Sequence, residues 1–240
     1  MSEEIRKHYE ESLTNLRRDI ARMAAGVTEL VPRATEILLD GDLEAADYLI
    51  LADDEYDAKA LALEEECFRV LALESPVASD LRLVVSTIKI IADVERSADL
   101  CANICKAARR IHGHPLDARI RGVVQEVGVQ AHRIFKHATE AYLNNDGPAA
   151  AALHDMDAYL DDLHRQFVQA IFESHADGNL DLQVAVQLAV VARFYERIGD
   201  HAVAVGDRTR FIVSGWTPDQ YYSESDNDPP ETPATQPVSG

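Results

Sequence analysis

One helical segment is written twice in this chain, and both copies carry a pair of carboxylates one helical turn apart. The first copy reads LRLVVSTIKIIADVERSADLCANIC from Leu81 to Cys105. The second reads LQVAVQLAVVARFYERIGDHAVAVG from Leu182 to Gly206, in register at an offset of 101 residues. Arg96 falls on Arg197, and Glu95/Asp99 fall on Glu196/Asp200. Residues four apart share a helix face, so each copy holds a two-carboxylate rung in an otherwise apolar helix. The 3-4 apolar spacing runs Leu81, Val84, Ile88, Ile91 and then Glu95 in the first copy, and Leu182, Ala185, Ala189, Ala192 and then Glu196 in the second. Glu thus occupies a seam position that should face a partner helix. A lone ionised carboxylate there costs several kcal/mol unless it is paired or metal-bound.

The surrounding pattern predicts an all-α chain. Aromatics make up 6% of the residues, while Ala, Leu, Val, Glu and Asp are abundant, a balance that favours helices over a β-sandwich. Leu13, Leu16, Ile20, Met23, Val27, Leu30, Ala34 and Ile37 mark a first helix, with a kink expected at Pro32. Asp40-Gly41-Asp42 ends it and begins a second helix, about Leu43 to Glu74. Ser75-Pro76 reads as the cap and first-turn proline of a third, which runs to His112. The plan then repeats: about Leu116 to Leu143, about Pro148 to His175, and a sixth helix ending near Ser214-Gly215. Two antiparallel three-helix bundles in tandem are expected, over residues 1–113 and 114–215. Residues 216–240, rich in Pro, Ser, Thr, Asp and Glu, are expected to be a disordered tail.

The second helix of each half adds a matching rung. Asp53/Asp57 and Asp157/Asp161 both read Asp-x-x-x-Asp, in the same phase relative to the seam. Each half therefore offers four candidate metal ligands: Asp53, Asp57, Glu95 and Asp99 in the first, Asp157, Asp161, Glu196 and Asp200 in the second. A single Asp-x-x-x-Asp is usually a solvated face, but four at equivalent positions of a duplication favour metal. The competing reading is structural ion pairing through Arg96 and Arg197. All-oxygen donors select hard cations such as Mg2+, Mn2+, Ca2+ or iron. A di-iron oxidase would need Glu-x-x-His, and the third residues after Glu95 and Glu196 are Ala98 and Gly199.

Other chemistry is sparse. A net charge of −19 argues against nucleic acid, whose phosphates recruit Lys and Arg. No apolar run is long enough to span a membrane, and the charged N-terminus lacks a signal-peptide core, so a cytoplasmic protein is expected. Cys67, Cys101 and Cys105 read as reduced structural thiols. His201 reads as an exposed or partner-facing residue, because Leu100 takes its place in the first copy. His154, three residues before Asp157, is a candidate accessory ligand. The remaining histidines, His164 among them, are scattered. No nucleophile–base constellation emerges, and Asp146-Gly147-Pro148 lacks the spacing of a P-loop.

ERSADLCANI (Glu95 to Ile104) and YERIGDHAVAV (Tyr195 to Val205) resemble the paired signature segments of the PhoU family, whose pattern is Glu-Arg-Ile-Gly-Asp-His-Ala followed by Asn-Ile. The stretch from Ser75 to Arg82 resembles that family's approach to its third helix, and the likeness covers about residues 5 to 215. It implies tandem three-helix bundles that bind Mg, Mn, Fe or Zn ions through the eight carboxylates above. It further implies a homodimeric, non-catalytic regulator that restrains phosphate uptake and phosphate-starvation signalling, linking the ATPase subunit of the phosphate ABC transporter to a phosphate-sensing histidine kinase. A metal-dependent carboxylate-bridged enzyme and a metal-free helical interaction module are the alternatives. The chain departs from the pattern at Ser97-Ala98, where Ile-Gly is usual, and at Ala204, where the first copy has Asn103. If that Asn touches the ions, the two sites should differ.

Overall fold

Short turns and buried apolar stripes give the chain its helices. The computed structural model describes residues 2–215 and, except for residues 2–6 and 8, their side chains. The tail expected from residue 216 onward lies outside them. The helices are α1 (Ser2–Asp40), α2 (Leu43–Glu74), α3 (Ala78–Arg110), α4 (Ala118–Asn144), α5 (Gly147–Ala151), α6 (Leu153–Ala176) and α7 (Leu182–Ser214). Among the described residues no strand forms.

Aspartates start most of these helices. The side chains of Asp42, Asp117, Asp146 and Asp181 each accept a hydrogen bond from a backbone N–H of the turn they open, satisfying donors that lack a helical partner. Ser75 does not behave as the pattern suggested. It ends α2 in the left-handed region, at φ 47°, and α3 begins at Ala78 behind Val77, without a side-chain cap. The helix expected from Pro148 to His175 is interrupted at Ala152 into the short α5 and the longer α6.

Pro32 lies inside α1, and the helix continues through it. Proline has no N–H, so the carbonyl of Thr28 loses its helical partner. His132 of α4 fills the vacancy, with Nδ1 3.0 Å from the Thr28 oxygen. A carbonyl only accepts, so this imidazole carries its proton on Nδ1.

Helices α1, α3, α4 and α7 make the centre: α1 packs on α4 and α3 packs on α7, across the two halves. Helix α2 lies outside against α3, and α6 outside against α7. The buried side chains form one continuous cluster that includes Ile20, Val27, Ile91, Ile134, Leu188 and Tyr195. The duplicated halves thus share a core, and the rung-bearing pairs α2/α3 and α6/α7 sit on opposite flanks of it.

Candidate metal centre

Antiparallel packing brings the rungs of each half together crosswise. On the first flank Asp53 hydrogen-bonds Asp99 and Asp57 hydrogen-bonds Glu95. Such a bond needs a proton on one of the two carboxyls. Asp53 is accordingly pushed up to about 6, by burial first and then by the charge of Asp99. Burial also raises Glu95, helped by the charges of Asp99 and Asp57. Lys106 opposes the shift at Asp53.

On the second flank the equivalent carboxylates act on one another through their charges. Burial pushes Asp157 up to about 6, with Asp161 and Asp200 adding their repulsion. Glu196 is raised by burial, and by Asp200 and Asp161, against the opposing charge of Arg193. The approach of α6 to α7 at this rung depends on Gly199: a Cβ there would stand 2.6 Å from Asp157 Oδ1 and 2.5 Å from Leu160 Cδ2. Ala98 takes the same place in the first half.

Of the arginines flanking the rungs, Arg96 lends its charge to its neighbour and opposes the upward shift of Glu95. Arg96 and Arg197 are exposed, and the partner of Glu196 is Arg193, one turn earlier, bonded to Oε1. The other oxygen, Oε2, is buried with no hydrogen-bond partner. Spacing could have flagged this ion pair, because Arg193 and Glu196 are three apart.

All eight candidate carboxylates thus lie where two helices meet, four to a flank. Among the described residues no three His, Cys, Asp or Glu side chains are already gathered around one point, so ligation requires side chains to turn. The donor set nevertheless fits a hard cation. Mutual repulsion raises carboxyls on both flanks, a cation would relieve it, and the orphan Oε2 of Glu196 offers a ready lone pair.

His201 is buried rather than exposed, at 9%. Its Nδ1 lies 3.0 Å from the Ser97 hydroxyl, across the α3/α7 contact. Ser97 Oγ also donates to the Asp93 carbonyl at 2.8 Å, so the imidazole N–H donates to Ser97. Burial first, then Arg197 and Arg96, push His201 down to about 4. Ser97 is wholly buried and its proton is engaged, so this serine–histidine pair is a structural link and not a nucleophile with its base. Nearby, Arg208 Nε stands 3.6 Å from the buried Asp93.

A duplicated helical scaffold with a cross-paired dicarboxylate rung on each flank is therefore the class of protein that fold and site define. The family model of the PhoU domain matches twice, at residues 20–108 and 124–209, and the chain belongs to the PhoU family. It is 34% identical over 215 residues to the phosphate-specific transport system accessory protein PhoU homolog 1 of Mycobacterium tuberculosis (strain ATCC 25618 / H37Rv), covering 89% of this chain and 96% of that one. A homolog of the same name from Methanothermobacter thermautotrophicus is 27% identical over 206 residues, covering 86% and 94%. Among solved structures, PhoU from Pseudomonas aeruginosa superposes with a TM-score of 0.82 at 25% identity, over 87% of this chain and all of that one.

Proposed function

We propose that this protein is a non-catalytic, metal-binding accessory of phosphate transport. It restrains uptake and phosphate-starvation signalling by joining the transporter's ATPase subunit to a phosphate-sensing histidine kinase, as a cytoplasmic homodimer. Among the described residues no helix is long and apolar enough to cross a membrane, which suits a protein that works by docking. The names of the relatives, accessory proteins of a transport system, support the phosphate role. The single observation that carries the metal part is the in-register duplication of the cross-paired rungs. Mg, Mn, Fe or Zn ions on Asp53, Asp57, Glu95 and Asp99, and on Asp157, Asp161, Glu196 and Asp200, would fix the spacing of α2 against α3 and of α6 against α7. The outer helices would then present a defined shape to a partner, and coupling between partners follows from differential affinity for their states.

Deletion of the gene is expected to derepress phosphate-starvation genes in phosphate-rich medium, with repression only partly restored by Glu95→Ala/Glu196→Ala. Unchanged repression in the deletion strain, where no second copy compensates, would refute the regulatory role. Equal metal content of that double variant and the wild type after dialysis would refute the metal role.

A further inference from the structure

The duplicated halves meet along α3 and α7, and the outer face of that meeting is basic and apolar in a chain of net charge −19. We propose that this face is the docking surface for an acidic amphipathic helix of a partner protein. The carboxylates of that helix pair with Arg96 and Arg197, and apolar residues toward its two ends cover Val85 and Val186. The proposal rests on the reading of the protein as an accessory that works by docking, and not on its metal ions.

Helices α3 and α7 run antiparallel, as the contacts between them show. Arg110 reaches Gln187 at 3.3 Å, His201 meets Ser97 at 3.0 Å, and Arg208 stands 3.6 Å from Asp93. The pseudo-twofold axis of the duplication therefore passes close to Ala98 and Gly199, and Arg96 and Arg197 lie beside it, one from each half. Leu81, Val85 and Arg96 follow one stripe of α3, as Leu182, Val186 and Arg197 follow one stripe of α7, and all six are exposed. Val85 precedes Ala98 by 13 residues, and Val186 precedes Gly199 by 13, roughly 20 Å of helix in each case. Along its length the face is thus apolar, then basic, then apolar. At the second end Leu182, Val186, Arg110 and His114 help to line a cleft of about 480 Å³, which has room for large apolar side chains.

The two central cations are open to a partner. Arg193 is held by Glu196 and Arg208 by Asp93, but among the described residues neither Arg96 nor Arg197 makes a hydrogen bond or a salt bridge. The rung carboxylates beside them turn outward: Asp99 bonds Asp53 of α2, and Asp200 acts on Asp157 of α6. Arg96 and Arg197 both lend their charge to one imidazole, His201, in keeping with their places on either side of the axis. Guanidinium groups favour carboxylates, which they grip through two parallel hydrogen bonds. Paired cations between two apolar ends suit a helix that is recognised along one face. A second copy of the same face would set arginine against arginine, and an anionic membrane would repel the excess negative charge of the chain.

The test uses the full chain and a fluorescein-labelled synthetic helix of about 30 residues, long enough to span both apolar ends. One face of this peptide carries glutamates at its centre and leucines toward each end; a twin with central lysines is the control. The wild type is expected to bind the acidic peptide and not its twin, and to bind it more weakly as salt rises. Arg96→Glu/Arg197→Glu and, independently, Val85→Ser/Val186→Ser should each lower the affinity about tenfold or more, with helical circular dichroism unchanged. Should charge reversal disturb the fold, Arg96→Gln/Arg197→Gln carries the same expectation. In the deletion strain the charge-reversed protein should fail to restore phosphate repression. Four results overturn the docking surface and leave the phosphate reading standing: no binding of the acidic peptide by the wild type, binding that neither variant weakens, binding of phosphatidylglycerol vesicles in place of the peptide, or full repression by the charge-reversed protein. Unaltered repression in the deletion strain overturns the phosphate reading instead, and the peptide titration then decides the surface by itself.

Discussion

The Ser97 hydroxyl and the His201 imidazole join the two halves of the molecule, 3.0 Å apart and out of solvent. Each stands at a rung: Ser97 between Glu95 and Asp99, His201 directly after Asp200. Serine stands where the family pattern has isoleucine, and its packing partner explains the departure.

Ser97→Ala should strand the buried imidazole N–H, with a loss of about 1–3 kcal/mol. Adding His201→Leu, the residue the first copy carries as Leu100, removes the stranded group, so the double variant should lose less than the sum of the singles. Urea unfolding of the four proteins measures the coupling. Strict additivity would show that the contact does not link the halves.

Two sets of groups tilt stability with pH in opposite directions. His201 is held near 4 in the fold against 6.5 ordinarily, so between these values the unfolded chain binds the extra proton and stability is lost as pH falls. Asp53 and Asp157 are held near 6 against 3.8. Here the folded state keeps the extra protons, and their contribution, full below 3.8, is lost as pH rises through 6. The destabilisation by His201→Leu should therefore shrink as pH falls from 6.5 toward 4. In metal-free protein, Asp53→Asn/Asp157→Asn should raise the melting temperature at neutral pH, and the gain should vanish toward pH 4. Parallel melting curves for variant and wild type across that range would contradict the assignment.

Gly199→Ala should separate α6 from α7 at the second rung. The added Cβ meets Leu160 and Asp157 at 2.5 and 2.6 Å. Overpacking of about 1–3 kcal/mol exceeds the roughly 1 kcal/mol that alanine gains in a helix. A fall in melting temperature is expected, and a rise would show that the side chains yield freely.

The three cysteines are buried and free. Burial pushes the thiols of Cys67 and Cys105 up to about 12, and Cys101 higher still. Thiolate is the reactive form, so a thiol-specific disulfide reagent should label none of the three in the native protein and all three after unfolding. Rapid native labelling would show that α2 or α3 opens readily.

Periodicity alone revealed the duplication, the helical class and the phase of all four rungs, because a carboxylate at a seam position is visible in a 3-4 pattern. Turn chemistry placed most boundaries, since Asp42 and Gly215 act through their own backbone neighbours. Local pattern reports which face of a helix is apolar, but not which helix will cover it. Hence the burial of His201 against Ser97, the rescue of the Thr28 carbonyl by His132, and the choice of Arg193 over Arg197 as partner of Glu196 were decided only by packing. Sequence determined which chemical groups share a face; only the tertiary structure brought two such faces together.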